Sequence, residues 1–547
     1  MKPPLIDKAL NKTREIIRYH EETKHHFHRY AKSLGYMDWK NQPNPFRYYE
    51  NVKTVPLPLL EETPKTEYMD LYTRENTAPQ AFGLENISRF TALSLGLSAW
   101  KAISGSRWSL RMNPSSGNLH PTEAHLVLPS TDRTPCGVYH YNPFIHALEQ
   151  RAVIPGDLWK SILNHFQTQG FMAALSSIFW RESWKYGERG FRYCNHDIGH
   201  ALAGLSFSAS LLGWRVTVLN SLSDRNIETI LGFDRTAWHE LEKEAPELLC
   251  FVHTHEKHKI PRGLPIDIID GFSSLLFDGT PNLLSDNQVN WEIIYKTKEL
   301  TEKPPTSEKR FDYGHRKFIR TSTASLDAAH IIRKRRSAVS FNPGGHISKR
   351  RFMAMLDKTL PRNLCAPFDV ELFDPNIHFF IFVHKVRDIL PGLYVFIRNE
   401  NHLREIQHLA KPEFLWEQID PEFPLYLLEH GEFRQTAIDV SCHQDIAGHS
   451  VFSLGMIARF KSVLEKEPFR YRHLFWESGM AGQVLYLEAE AHGLRGTGIG
   501  CFFDDAVHDL LGFEDNAFQS LYHFTIGDPV DDHRLTTYPP YYHLKNR

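Results

Sequence analysis

Several features that commonly announce a function are missing from these 547 residues. Cysteine is scarce, with six residues at Cys136, Cys194, Cys250, Cys365, Cys442 and Cys501, and no two of them form a C-x-x-C pair. That spacing argues against a zinc ribbon, an iron–sulfur cluster or a disulfide scaffold, and six free thiols fit a reducing compartment. No run approaches the ~20 apolar residues that a membrane helix needs. The first residues, MKPPLIDKAL, hold no apolar stretch of signal-peptide length. A cytoplasmic protein without a membrane partner is expected. A surplus of one charge is also absent: Lys plus Arg total 63 and Asp plus Glu 65, a net charge of -2. There is no electrostatic footprint for nucleic acid.

Hydrophobic residues make up 41% and charged residues 23%, normal for a globular chain long enough for two or three domains. Residues 1–80 are polar, rich in Tyr and His, and broken by Pro43, Pro45, Pro56, Pro58 and Pro64. They read as an N-terminal extension with little regular structure beyond one helix near 5–33. A second polar stretch, 256–324, includes Glu302-Lys-Pro-Pro-Thr-Ser-Glu-Lys-Arg310 and reads as a linker wrapping over a surface. Two patterned domains, 81–255 and 325–547, remain.

An internal repeat relates them. Phe191–Phe233 align with Tyr471–Phe513 at a constant offset of 280, and 12 of the 43 positions are identical. The identities include Arg192/Arg472, Gly199/Gly479, Arg215/Arg495, Asp224/Asp504 and the closing Leu-Gly-Phe. Small residues recur along the presumed helices (Gly199, Ala203, Gly204; Gly479, Ala481, Gly482), as a close backbone crossing requires. Each half also reads strand (His125–Pro129; Phe379–Val386), hairpin strand (Gly137–Tyr141; Gly392–Ile397), long helix, then a short acidic helix. The fold expected is α+β, one unit used twice, doing covalently what a two-fold homodimer does by association. Such a pseudodimer can stand as a monomer.

Four patches carry a resemblance to the nitroreductase superfamily, in its tandem azoline-dehydrogenase-like (SagB/ThcOx-type) branch. They are Asn113-Pro-Ser-Ser-Gly-Asn-Leu-His-Pro121, Arg335-Arg-Ser-Ala-Val-Ser-Phe341, the helix from Gly479 with Gly496-Thr-Gly-Ile-Gly500, and Ile526-Gly-Asp-Pro529 with Arg534 after it. The resemblance implies two fused FMN-dependent nitroreductase-like domains with FMN at their junction. It divides the binding set: the Pro-Ser-Ser-x-Asn loop from one half, the rest from the other. The second half reads Asp369-Val-Glu-Leu372 at the loop position. The first half lacks an Arg-Arg-Ser element and ends in Glu247-Leu-Leu-Cys-Phe-Val-His253. One complete FMN site and one degenerate pseudo-site are therefore expected.

Arg335, with Arg336, Ser337 and Arg534, is the expected phosphate set, because guanidinium grips phosphate oxygens bidentately. The alternative is that Arg333–Arg336 is an ordinary solvated basic face. Pro114, Ser115, Ser116, Asn118 and His120 are expected at a ring edge or along the ribityl chain, although such a run also makes a plain turn. His120 stands where the family usually has Gln. Gly498, Ile499 and Gly500, after Gly496, let backbone N–H groups approach the flavin N5 region and stabilise negative charge developing there. A Rossmann reading fails, because these glycines follow a helix. Lys185-Tyr186 resembles the pair that azoline oxidases use to remove a proton while hydride leaves to N5; the alternative is a surface Lys beside a packing Tyr. The second half has Glu465 and Lys466 there.

His196-Asp-Ile-Gly-His200 invites a zinc reading. It is set aside because Asp is shorter than the Glu of that motif, and the repeat accounts for the segment. His25, His26 and His28, and the pair His253 and His255, read as ordinary histidines, so no metal is expected. The enzyme expected is an FMN oxidoreductase moving hydride to and from flavin N5. Either NAD(P)H drives it toward a nitroaromatic, quinone or flavin-like acceptor, or a peptide-derived azoline is oxidised by oxygen. A small-molecule or peptide-derived substrate is implied. The competing class is a catalytically inactive flavin-binding or scaffold protein of the same fold, which Val339 mildly favours because the family often has a basic residue there.

Overall fold

The computed structural model describes residues 4–60, 62–254 and 260–544. His255 and residues 256–259, where the first domain was expected to end, lie outside them. In chain order the strands are β1 (Thr54–Pro56), the hairpin β2 (Leu97–Ile103) and β3 (Ser106–Arg111), then β4 (Thr122–Leu128), β5 (Gly137–Asn142), β6 (Ala147–Val153), β7 (Gly170–Ser177), β8 (Arg215–Val218) and β9 (Ala245–His253). The second half supplies β10 (Ile377–Val383), β11 (Gly392–Phe396), β12 (Glu417–Asp420), β13 (Phe423–His430), β14 (Phe452–Arg459), β15 (Arg495–Ile499) and β16 (Phe518–Gly527), with β17 (Thr536–Tyr538) near the end.

Two seven-stranded sheets result, in the orders β1-β6-β5-β4-β7-β9-β8 and β12-β13-β11-β10-β14-β16-β15. Six strands correspond between them in order and the edge strands differ, β1 coming from the N-terminal segment and β12 from between β11 and β13; every pairing within the sheets is antiparallel. Strand β10, IHFFIFV, lies at the centre with every residue buried, which is why it reads as a continuous apolar run.

The long helices take corresponding positions: α1 (Gly190–Leu211) and α2 (Arg470–Ala491), 22 residues each. They cross at the middle of the molecule. A Cβ on Gly199 would strike the Trp476 carbonyl, and one on Gly479 would strike the His196 carbonyl. The paired glycines of the repeat are thus the crossing point itself, where only hydrogen leaves room for the opposing backbone. Two further repeated residues reciprocate across the junction. Arg192 bonds Asp504 at 2.9 Å, and Arg472 bonds Asp224 at 2.8 Å, all four buried. Asp224 and Asp504 open the short helices Asp224–Leu231 and Asp504–Leu511, each closed by a left-handed glycine, Gly232 and Gly512.

The flanking segments are more structured than their composition suggests. The N-terminal helix stops at Glu22 rather than near residue 33. There the Thr23 hydroxyl bonds the Tyr19 carbonyl, and the chain turns so that Lys24 meets Asp505 and the His25 amide meets Asp504. Ile16 and Tyr19 of this helix sit in the second half's core, whereas Val55 and Leu57 sit in the first's. Between the halves, the helices Ile266–Ser273 and Glu292–Leu300 bury Phe272 and Ile294. The C-terminal strand β17 crosses back to the first half and pairs with β2, Thr536 opposite Ala102 and Tyr538 opposite Trp100. None of the described helices is long and apolar enough to cross a membrane.

Candidate functional site

The junction of the halves opens into a cleft of about 880 Å³, within the range of small-molecule sites. The first half contributes the loop after β3, Asn113–His120, with Tyr186, Asp197 and His200; the second contributes Arg335–Ser337, Tyr486, Gly498–Cys501 and Tyr522. Of the residues singled out in the sequence, Pro114, Ser115, Ser116, Asn118, His120, Tyr186, Arg335, Arg336, Ser337, Gly498, Ile499 and Gly500 all line it. Lys185 and Arg534 do not.

The loop holds its shape through its own side chains. Gly117, Asn118 and His120 adopt left-handed φ of 58°, 59° and 54°. The Ser115 hydroxyl accepts the His120 amide at 2.8 Å, and Asn118 donates to the Ser109 carbonyl at 2.9 Å. The Ser116 amide and hydroxyl both reach Asp197 Oδ1, at 3.2 and 3.3 Å. Ser115, Ser116 and Asn118 therefore organise the wall. The atoms left over are different ones: Asn113 Oδ1, His120 Nδ1 and Asp197 Oδ2 are buried without a partner. Burial keeps His120 neutral, its pKa well below the usual imidazole value.

At the facing wall Arg335 is buried, donates one bond to the Arg111 carbonyl at 2.9 Å, and leaves Nε unpaired. Arg336 donates to the carbonyls of Arg333, Arg335 and Ser98. Neither guanidinium meets a carboxylate within ion-pair distance among the described residues, although next to them Lys334 pairs with Glu490 at 3.0 Å. Burial lowers both pKa values; for Arg336 the neighbouring Arg335 charge adds to it, bringing it to about 10. A buried guanidinium beside a half-buried one, neither held in an ion pair, is an electrostatic cost that a bound anion would remove.

The glycines of Gly496–Gly500 run through the edge strand β15 and its end, paired to β16 with Gly498 opposite Phe524. None of the three uses a left-handed φ. They are small because a Cβ on Gly496 would meet the Phe524 ring, on Gly498 the Tyr522 hydroxyl, and on Gly500 the Tyr193 ring. The Gly498 N–H is taken by the Tyr486 hydroxyl at 2.9 Å, which also meets Ser337 at 2.9 Å.

Two expected residues need correction. Arg534 turns to solvent and closes on its neighbour Asp532 at 2.7 Å with a side chain 79% exposed, because two residues of separation let that pair form locally. Lys185 stands behind the loop wall: a Cβ on Gly117 would come 2.7 Å from the Tyr186 hydroxyl and 3.2 Å from Lys185 Nζ. Tyr186 holds its proton firmly, because burial and the nearby Glu182 push its pKa well above 10. Asp197 was passed over. Burial raises its carboxyl to about 7, against bonds from Ser115 and Ser116 that lower it. His200 also lines the cleft and bonds the Tyr522 hydroxyl at 3.1 Å, while His196 packs flat on the Tyr522 ring. The His-x-x-x-His spacing was the visible signal here; the acid between the histidines faces the cleft.

Residues 332–528 match the model of the Nitroreductase family. This stretch is a nitroreductase-family domain. A protein from Anabaena variabilis ATCC 29413 designated a nitroreductase superposes with a TM-score of 0.68 at 22% identity, covering 94% of this chain and 99% of its own. That likeness gives both halves the nitroreductase fold, fused as a pseudodimer. A nitroreductase-designated protein from Ralstonia eutropha JMP134 matches at 14% identity and a TM-score of 0.26, over 40% of this chain and 95% of its own. An FMN-dependent nitroreductase from Clostridium difficile R20291 matches at 12% and 0.22, over 37% and 87%. No curated protein matches the chain.

Proposed function

We propose that the cleft binds FMN, one per chain, and that the protein is an FMN-dependent oxidoreductase. The observation that carries this reading is Arg335, buried at one wall beside the half-buried Arg336, neither with a carboxylate at ion-pair distance among the described residues. A phosphate dianion is the complement of two such forks. The other cleft features fit the rest of FMN. Gly498 and Gly500 line the cleft with bare backbone, their missing side chains giving way to Tyr522 and Tyr193. Unpartnered atoms on Asn113 and His120 offer an acceptor and a ring nitrogen to a polar edge. When bound, FMN supplies a two-electron carrier that accepts or gives hydride at N5.

The chain's own groups supply the proton chemistry. Asp197, at about 7, is poised to take a proton at Oδ2 near neutral pH. Tyr186 is the proton-holding partner, and Lys185 backs the loop against which Tyr186 lies. A proton acceptor set in the cleft favours dehydrogenation of a small or peptide-derived substrate, such as an azoline, over simple NAD(P)H-driven reduction.

The test is the visible spectrum of the purified chain, with the flavin released on denaturation identified and counted. One FMN per chain is expected. A colourless protein that takes up no added FMN would sink the proposal. Two per chain would sink the single-site reading.

A further inference from the structure

Cys442 and Cys501 are 59 residues apart in sequence, yet their sulfurs lie 2.7 Å apart. That is closer than two unbonded sulfurs normally sit, and a disulfide forms at about 2.05 Å. Both side chains are part-exposed, so a reagent can reach them. Cys501 follows Gly500 and lines the cleft. Cys442 lies in the turn after the helix Arg434–Val440, where Cys442 and His443 both hold left-handed φ, 54° and 56°. Gln444 fastens the two segments together, donating to the carbonyls of Cys501 at 3.1 Å and Ser441 at 2.8 Å.

We propose that Cys442 and Cys501 form a redox-active dithiol in the wall of the cleft, closing to a disulfide by exchange with low-molecular-weight disulfides. This does not depend on the flavin reading. The two thiols are unlike. The close contact between the two sulfurs, helped by the Arg189 guanidinium, holds Cys501 below the usual thiol range; the same contact and burial push Cys442 up. Cys501 is thus the attacking thiolate. It displaces one thiolate from the external disulfide and becomes a mixed disulfide. The Cys442 sulfur then attacks Cys501 Sγ, gives up its proton and expels the second thiol. Two protein thiols and one disulfide become one protein disulfide and two small thiols, and excess dithiol reverses the sequence. The closed bond ties the end of the glycine strand to the turn carrying Gln444, which also lines the cleft.

The test uses the full-length protein, reduced and then exposed to oxidised glutathione, with free thiols alkylated in acid-quenched denaturant before trypsin and mass spectrometry. The expected product joins tryptic peptides 435–459 and 496–534, two hydrogens lighter than their sum. In Cys442→Ser, Cys501 should be trapped as the glutathione mixed disulfide. In the reduced protein, iodoacetamide should reach Cys501 about tenfold or more faster than Cys136, whose burial raises it to about 12. Both cysteines left alkylatable after glutathione treatment, or Cys501 no faster than Cys136, would overturn the proposal. The experiment is run on flavin-containing and flavin-free fractions. Bridging in both is expected, and bridging confined to the flavin-containing fraction would overturn exchange as its route.

Discussion

The two junctions between the halves begin from the same fold and end differently. At the open one, the loop Asn113–His120 stands off from β15, and Arg335 and Arg336 keep their guanidiniums without counter-ions. At its counterpart, residues 368–370 pack on β8, and Asp369 fills the space with charge. It accepts from Arg74 at 2.6 Å and from Arg215 at 3.4 Å, and Arg215 is the repeat partner of Arg495. Glu371 closes on Arg262 at 2.7 Å, and Phe368, Val370 and Leu372 are buried. One arrangement leaves basic groups waiting for an anion, and the other supplies the anion from the chain itself. In the proposed reading, a carboxylate of the protein takes at the closed junction the electrostatic place that a ligand takes at the open one.

If that is right, the closed junction is where a single change costs most stability. Asp369→Ala leaves the buried Arg74 without its carboxylate beside the half-buried Arg215, and should destabilise the fold by about 3–5 kcal/mol. Denaturant unfolding measures it, and a loss below about 1 kcal/mol would show that the plug is ornamental. The open junction should answer to ligand instead. Arg335→Ala removes charge-assisted bonds of roughly 1.5–3 kcal/mol each, so FMN affinity should fall about a hundredfold in a fluorescence titration. Arg215→Ala should leave that affinity within about twofold. Equal losses in the two variants would end the distinction between the junctions.

Much of this contrast was legible in the sequence, and the reason is symmetry. Gly199/Gly479, Arg192/Arg472 and Asp224/Asp504 are identical because each does the same job against the other half, as a helix crossing or a reciprocal ion pair. The cleft residues of the loop and of the Arg-Arg-Ser element were legible as motifs. What escaped was tertiary. Nothing local in residues 1–80 says that Ile16 joins one core and Val55 the other. Tyr486 and Tyr522 meet Ser337, Gly498 and His200 only after α2 and β16 are in place. Asp197 was hidden by its own motif, since the flanking histidines invited a metal reading while it is burial that raises the carboxyl between them. The glycines of β15 were found for the wrong reason: their value is clearance from three aromatic rings, with the backbone in ordinary extended form.

Asp197 sharpens the comparison through pH. Its folded pKa, about 7, lies above the ordinary carboxyl value of 3.8 because burial favours the neutral acid. A raised pKa contributes stability that is fully present below the unfolded value and is lost as pH rises to the folded one. Between about pH 4 and 7 this group should therefore make unfolding easier by up to ~1.4 kcal/mol per pH unit. Asp197→Asn should remove that much of the slope and also the limb near pH 7 from any pH–rate profile. An unchanged slope in the variant would mean that Asp197 is ionised throughout and cannot serve as the proton acceptor proposed.

The smallest effect expected is at Arg534. A basic residue after Gly-Asp-Pro looks like a ligand, yet its charge is already answered by Asp532, and both sit where water screens them. An exposed pair of this kind contributes little, because solvent screens it. Arg534→Ala should then change FMN affinity by less than about twofold, against the hundredfold expected for Arg335→Ala. The two arginines carry the same head group and differ in desolvation: Arg335 has no competing carboxylate and little water, whereas Arg534 has both. If Arg534→Ala instead lost FMN as completely as Arg335→Ala, the segment 531–535 would have to fold over the bound phosphate. The open junction would then be a site finished by its ligand, rather than one already formed around an electrostatic gap.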